Sequence, residues 1–275
     1  MKRTSANISK KTVNRETVID FLDKTLQTAT VKDYSVNGLQ VQGNSEINRI
    51  ALAVDACMES YKLAVEKQCR MLIVHHGIIW NGIQSIKGRE YNHLKYLIEN
   101  DLNLYASHLP LDLHPKYGNN AQLAKLLSLQ KVKPFGLYNG MLIGCEGVLS
   151  GKINRSQLVA KLCESLNTEC TVLPFGKEQV SSVAIISGGA GKELTQAIQK
   201  GVDCYITGEP IHENYHAALE AGINVIYAGH YHTEKTGVQA IGKLIEEQFG
   251  IETVFIDSPP IVERQASGIS MDFEN

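Results

Sequence analysis

Two apolar runs, Ile50-Ala-Leu-Ala-Val54 and Met71-Leu-Ile-Val74, flank a stretch over residues 58–68 in which Leu63 and Ala64 mark an inward helical face. Consecutive apolar residues without polar alternation suit strands buried on both faces, as a parallel sheet requires. With a helix between them the runs form a βαβ unit, so the two strands are expected to run parallel. The pattern continues with a helix over residues 93–99, a strand over 102–106 and a helix over 120–127.

From residue 132 to 174 the pattern weakens to a strand at 144–149 and a helix at 156–165. The segment from Pro134-Phe-Gly136 to Asn139-Gly140 reads as a linker or turn region. The alternation then returns, with strands at 183–186, 203–206 and 223–228 and helices at 192–200 and 214–220.

The two stretches are related. At an offset of 133, Ile50-Ala-Leu-Ala faces Val183-Ala-Ile-Ile, Ala64-Val-Glu-Lys faces Ala197-Ile-Gln-Lys, and His76 faces Glu209. At an offset of 122, Leu104-Tyr-Ala-Ser-His108 faces Ile226-Tyr-Ala-Gly-His230, and Asp112 faces Glu234. Any two βαβ units look alike once their apolar strands are aligned, but strand periodicity does not demand His-x-x-x-carboxylate after each. The expected architecture is therefore α/β, with two similar lobes from an internal duplication, residues 16–130 and 131–275, facing a shared metal-containing cleft. Residues 1–15 read as a flexible tail, and a last helix at about 236–250 is expected to pack on the first lobe.

Composition narrows the partners. A formal net charge of −2 over 275 residues offers no broad basic field for nucleic acid or an anionic membrane. No run of about 18 apolar residues is present to span a bilayer. The first fifteen residues carry no apolar stretch of signal-peptide length, and the six cysteines contain no C-x-x-C pair, so a cytoplasmic protein with reduced thiols is expected.

The residues that carry chemistry gather at strand ends. Val74-His75-His76-Gly77 puts two imidazoles at the end of a buried strand, the edge where open parallel sheets place their ligand sites. Adjacent side chains on an extended strand diverge, which suits two neighbouring ions better than one. Asp112 follows one such strand end, and His230 and Glu234 follow another at a spacing that shares one helix face. His75, His76, Asp112, His230 and Glu234 make a nitrogen and oxygen set acceptable to Zn, Fe, Mn, Co or Ni as divalent ions. Two ions sharing five ligands keep open positions, and a pair about 3.5–4 Å apart can share a hydroxide as nucleophile.

Several other residues compete for roles. His108 reads as a group facing a substrate or as a sixth ligand, and Glu209, His212 and His232 as candidates for a general acid or base. Glu234, His108 and Glu209 are the catalytic candidates, Glu234 doubling as a ligand. Ser187-Gly-Gly-Ala-Gly191-Lys192 fails as a phosphate loop, because the glycine spacing is short and Glu193 stands where Ser or Thr is needed. Trp80, the single tryptophan, is a core anchor by default and a stacking surface for a flat substrate as the minority alternative.

Taken together, Asn37-Gly-Leu-Gln-Val41, Val74-His-His-Gly77, His108-Leu-Pro-Leu-Asp112, Gly118-Asn-Asn-Ala-Gln-Leu-Ala124, Gly208-Glu209 and Gly229-His-Tyr-His-Thr-Glu234 resemble the Nif-three-like family. Its members often carry the name GTP cyclohydrolase I type 2 homologue, and the resemblance spans roughly residues 16–255. It implies a dinuclear metal site with ligands at His75, His76, Asp112, His230 and Glu234, two α/β lobes, and a toroidal homohexamer. Longer members insert a further domain between the halves, which this chain is too short to hold. Two functions follow as alternatives: a metal-dependent hydrolase opening the ring of a small-molecule substrate such as a purine nucleotide, or a non-catalytic metal-binding adaptor, chaperone or regulator.

Overall fold

The computed structural model describes residues 11–83 and 85–264, so residues 1–10 of the expected tail lie outside the described residues. The chain divides into two compact units. The first holds the chain up to Ser107 together with Ile241–Ile256, and the second holds His108–Ala240 and the chain from Asp257 onward.

The first unit is built from β1 (Val13–Asn14), α1 (Arg15–Leu26), β2 (Gly38–Val41), β3 (Glu46–Ile47), β4 (Arg49–Asp55), α2 (Met58–Glu66), β5 (Met71–His76), α3 (Arg89–Glu99) and β6 (Asn103–Ala106). The second contributes α4 (Leu109–Leu113), α5 (Asn119–Leu126), β7 (Gln130–Tyr138), β8 (Met141–Asn154), α6 (Arg155–Leu166), β9 (Thr171–Pro174) and β10 (Gln179–Ile185). It continues through α7 (Leu194–Lys200), β11 (Cys204–Thr207), α8 (Asn214–Ala221) and β12 (Asn224–Tyr227) into α9 (His230–Phe249). From Ile241 onward α9 belongs to the first unit, as does β13 (Glu252–Phe255), and the last element is α10 (Ile261–Arg264). No helix among the described residues is long and apolar enough to cross a membrane.

The first unit's sheet has the order β13-β4-β5-β6-β2, with β13, β4, β5 and β6 parallel and β2 antiparallel to β6. Ile50 to Val54 are all buried, and Leu72, Val74 and Leu104 pack with Tyr61 of α2 and Leu97 of α3. These are the apolar runs that the sequence marks as strands buried on both faces. The second unit's sheet has the order β7-β8-β10-β11-β12-β9, with β10, β11 and β12 parallel and the outer strands antiparallel. Its core joins Val183, Ile185, Ile206 and Ile226 to Leu158 and Leu162 of α6.

One expectation is corrected. Pro134-Phe-Gly136 is not a linker but lies inside β7, and only Asn139-Gly140 forms a turn. β7 is the outermost strand, where a residue without an N–H interrupts no second ladder. Asn139 and Gly140 both have positive φ, 48° and 82°, as a two-residue hairpin turn of the twist-matched kind demands.

Each unit anchors a central strand with the same device. Asn103, which opens β6, is fully buried; its Nδ2 donates to the carbonyls of Asn44 and Arg70, both at 2.8 Å, and its Oδ1 accepts from Gly43 N–H. Asn224, which opens β12, is equally buried; its Nδ2 donates to the carbonyls of Lys177 and Asp203, and its Oδ1 accepts from Gly176 N–H. The partners 43 and 176, 44 and 177, and 70 and 203 are each 133 positions apart, the offset that aligns the apolar strands. Arg15 and Arg155 then each donate to the glycine carbonyl of that set, Gly43 and Gly176.

The ladders also correct the second offset. Met71 pairs with Asn103 and Cys204 with Asn224, so the strands themselves correspond at 121 rather than 122. Two residues separate strand from helix in each unit, Ser107-His108 and Ala228-Gly229, so the matching Tyr-Ala and His-x-x-x-carboxylate motifs lie one position later in the second unit and do not share a rung. A buried amide that loses its partners is costly, so Asn103→Ala and Asn224→Ala should each destabilise the protein by about 2–3 kcal/mol in urea unfolding. Ala at exposed Lys62 should stay within about 0.5 kcal/mol.

Candidate metal centre

In the first unit the site residues sit where the parallel ladder ends. β5 pairs with β6 only as far as Val74, leaving His75 and His76 beyond it, and His76 stays in register with Asp55 of β4. His75 is fully buried, with Nδ1 2.9 Å from the Ser107 carbonyl. His76 Nδ1 lies 2.8 Å from Asp55 Oδ1. A carbonyl and a carboxylate only accept, so both rings carry the proton on Nδ1 and turn the Nε2 lone pair outward. Metal-ligating histidines are held in this way.

The rings do not diverge as ideal strand alternation predicts. Their centroids are 4.7 Å apart and tilted by 48°. Beyond Val74 one neighbouring strand alone holds the backbone, and the chain leaves the sheet at Gly77, so the alternation is not enforced.

The second unit assembles its own group. α9 begins at His230, and Glu234 follows one turn later with Oε2 3.1 Å from His230 Nε2. Glu234 is almost fully buried, while Glu209, at the loop after β11, is half-exposed with Oε1 2.9 Å from His230 Nδ1. Burial alone would lower the His230 pKa, but the hydrogen bond and charge of Glu234, with Glu209 behind it, raise it to about 9. Gly188 has a φ of 68°, and a Cβ there would collide with the Glu234 carboxylate. The glycines after β10 thus let backbone approach a carboxylate rather than a phosphate.

Asp112 lies in α4 and is held by one side chain from the next helix and one far along the chain. Its Oδ1 accepts from Asn119 Nδ2 at 2.8 Å and from Ser187 Oγ at 3.1 Å. Asn119 Oδ1 in turn accepts from Gly237 N–H on α9 at 2.7 Å, and Ser187 precedes the Gly188 that backs Glu234. Asp112 is in this way tied to the turn that carries His230 and Glu234. Asn120 completes the brace, accepting from Ser187 N–H and donating to the Ile143 carbonyl.

The remaining candidates separate. His108 directly precedes α4, and its carbonyl accepts from the Leu111 and Asp112 N–H groups. His232 is buried, with Nδ1 3.1 Å from Lys235 Nζ and Nε2 3.9 Å from Glu263. Burial, with the Lys235 charge behind it, lowers its pKa. This is a structural environment distinct from the Glu209 and Glu234 carboxylates. His212 is exposed in the loop before α8. Asp55, Asn119 and Ser187 were not among the sequence's site candidates, although Asn119 lies in the Gly118–Ala124 motif and Ser187 opens the glycine-rich turn. Asp55 leaves a trace as the acidic residue that terminates an apolar strand.

The donor set and its supports invite comparison with known proteins. The family model for Duf34/NIF3 (NGG1p interacting factor 3) matches residues 13–260. The chain belongs to the Duf34/NIF3 family. A relative from Archaeoglobus fulgidus named GTP cyclohydrolase 1 type 2 homolog is 44% identical over 247 residues, covering 90% of this chain and 99% of its own length. One of the same name from Pyrococcus abyssi is also 44% identical, over 248 residues with the same coverage. The solved structure of protein ybgI, of unknown function, superposes with a TM-score of 0.83 at 34% identity, covering 90% of this chain and 99% of its own. Within this Duf34/NIF3 member, histidine and glutamate side chains form groups that could hold a divalent ion.

Two outcomes follow. Asp55→Ala should lower zinc affinity about 10–100-fold in a chelator competition, because His76 loses the partner that fixes its ring. The raised His230 pKa gives a defined pH dependence. In metal-free protein the charged ring adds stability that is fully present below the unfolded value of 6.5 and is lost as pH rises through about 9. A metal ligand must be the neutral imidazole, so zinc uptake should release a proton below that pH. Its affinity should then climb by up to about tenfold per pH unit until the ring has titrated, as calorimetry in two buffers would measure.

Proposed function

We propose that the chain is a metal-dependent hydrolase that holds two divalent ions through His75, His76, Asp112, His230 and Glu234. The observation that carries the reading is the pair of Nδ1 bonds that commits both strand-end histidines to present Nε2. The carboxylates supply the hard oxygen donors that a hydrolytic centre uses. When bound, such ions polarise a substrate oxygen and lower the pKa of water.

The chain's own residues then have separable tasks. Asp55 and the Ser107 carbonyl orient the two imidazoles, Asn119 and Ser187 orient Asp112, and Glu209 steadies His230 from its Nδ1 side. Glu209, with 55% of its side chain accessible, is the group suited to exchange a proton with solvent, and His108 is assigned to face the substrate. The names of the curated relatives point to the bond: ring opening of a purine nucleotide of the GTP type. The same reading includes a cytoplasmic homohexamer without nucleic-acid or membrane partners.

The family description, an interacting factor, favours a second reading in which the ions organise a partner surface without turnover. Metal analysis of protein purified without an affinity tag should find about two ions per chain, falling in His75→Ala and Asp112→Ala; fewer than about one in the parent sinks the metal reading. GTP turnover by the metal-loaded protein should be lost in Glu234→Gln while its assembly, read by light scattering, persists. Metal binding without turnover of GTP or any related nucleotide would favour the second reading.

A further inference from the structure

Beside His76 the first unit contains a cavity of about 360 Å³ that the metal ligands do not occupy. It lies between the loop that follows β5 and the opening turns of α3. Its size is that of a small-molecule site. The walls are Ile78, Ile79, Trp80 and Leu94, and at its mouth Ile83 and Ile86 are 74% and 52% exposed. Large apolar side chains left in water around a concave surface mark a place where something apolar docks. Arg89 and Glu90, both exposed, are the charged residues of the lining, and Arg89 is its cation.

The walls are braced rather than loose. Gln40 of β2 accepts from both Ile78 and Ile79 N–H through Oε1 and donates to the Val36 carbonyl through Nε2. Val36 N–H donates to the Ile79 carbonyl and Asn81 N–H to the Tyr34 carbonyl, and Ser35 bridges to Trp80. Trp80 Nε1 donates to the Gly77 carbonyl at 3.0 Å, which fixes the indole and engages its single donor. A ligand therefore meets Trp80 through the ring. The indole centroid lies 6.3 Å from that of His76, and Gly77 both follows His76 and lines the cavity.

We propose that this cavity binds the planar aromatic portion of a small molecule that also carries an anionic group, with the ring against Trp80 and the anion toward Arg89. A preformed apolar slot with a fixed indole favours a flat ring over a flexible chain, since neither partner has to be ordered on binding. The Arg89 guanidinium gives a carboxylate, sulfonate or phosphate a charged hydrogen-bonding partner. Proximity to His76 makes the cavity the holding site for the unreactive part of a substrate. That last step rests on the hydrolase reading, whereas binding itself does not.

Because Trp80 is the single tryptophan, its emission reports on the cavity directly. Naphthalene-2-sulfonate and GMP should quench it saturably in chelator-treated protein, while cyclohexanesulfonate, a saturated anion, should not. Arg89→Gln should weaken both probes about tenfold. Ile79→Asp should abolish binding by calorimetry, with Trp80→Phe retaining it as proof that the site and fold survive. Absence of saturable quenching by either probe, or affinity unchanged in both Arg89→Gln and Ile79→Asp, overturns the proposal. Saturable binding that persists when metal-loaded protein turns over no nucleotide would leave the cavity standing and sink only the hydrolase reading.

Discussion

A parallel ladder runs out of partners at its carboxyl end, and most of the proposed metal chemistry lies where it does. Along β4, β5 and β6 each backbone group is matched by its neighbour until Val74. Past that rung the backbone needs other partners, and Asp55, His75, His76 and Ser107 sit where they are found. The edge is fixed because the strands behind it are rigidly packed, with Ile50 to Val54 and Met71 to Val74 essentially without exposed surface. Apolar burial therefore sets the position of the polar groups without touching them.

The second unit meets the same constraint by another route. Its parallel strands β10, β11 and β12 end in Ser187, in Gly208 with Glu209, and in the short turn to α9. The first turn of that helix places two candidate ligands on one face. Asp112 is brought to them by hydrogen bonds spanning 75 residues to Ser187 and, through Asn119, 118 residues to Gly237. Close backbone approach at Gly188 keeps Glu234 buried while leaving His230 partly exposed.

How much of this was legible depends on the range of the interaction. The parallel strands were readable because continuous apolar runs mean burial on both faces, and the pairing of His230 with Glu234 because four residues make one helical turn. The family motifs named the five proposed ligands. β7 was misread around Pro134-Phe-Gly136 because an outer strand tolerates residues that a central strand rejects. The 122-residue match hid a one-position displacement of the motif along β12 and α9, because identical letters were aligned where hydrogen-bond rungs differ. β2, β9 and β13 left little signal, being edge strands recruited by neighbours already in place.

By itself the sequence determined the α/β class, the core strands, the family and the residues with metal-binding chemistry, all properties of local pattern or of residue type. The tertiary structure alone decided that His75 and His76 carry the proton on Nδ1, since Ser107 and Asp55 reach that atom from other segments of the chain. It decided that His232 belongs with Lys235 and Glu263 rather than with His230 two residues away, because successive positions on a helix point in different directions. It likewise decided that Trp80 walls a cavity instead of filling the core. That outcome depends on Gln40 of β2 holding the loop from outside it, and no local pattern in the loop encodes that contact.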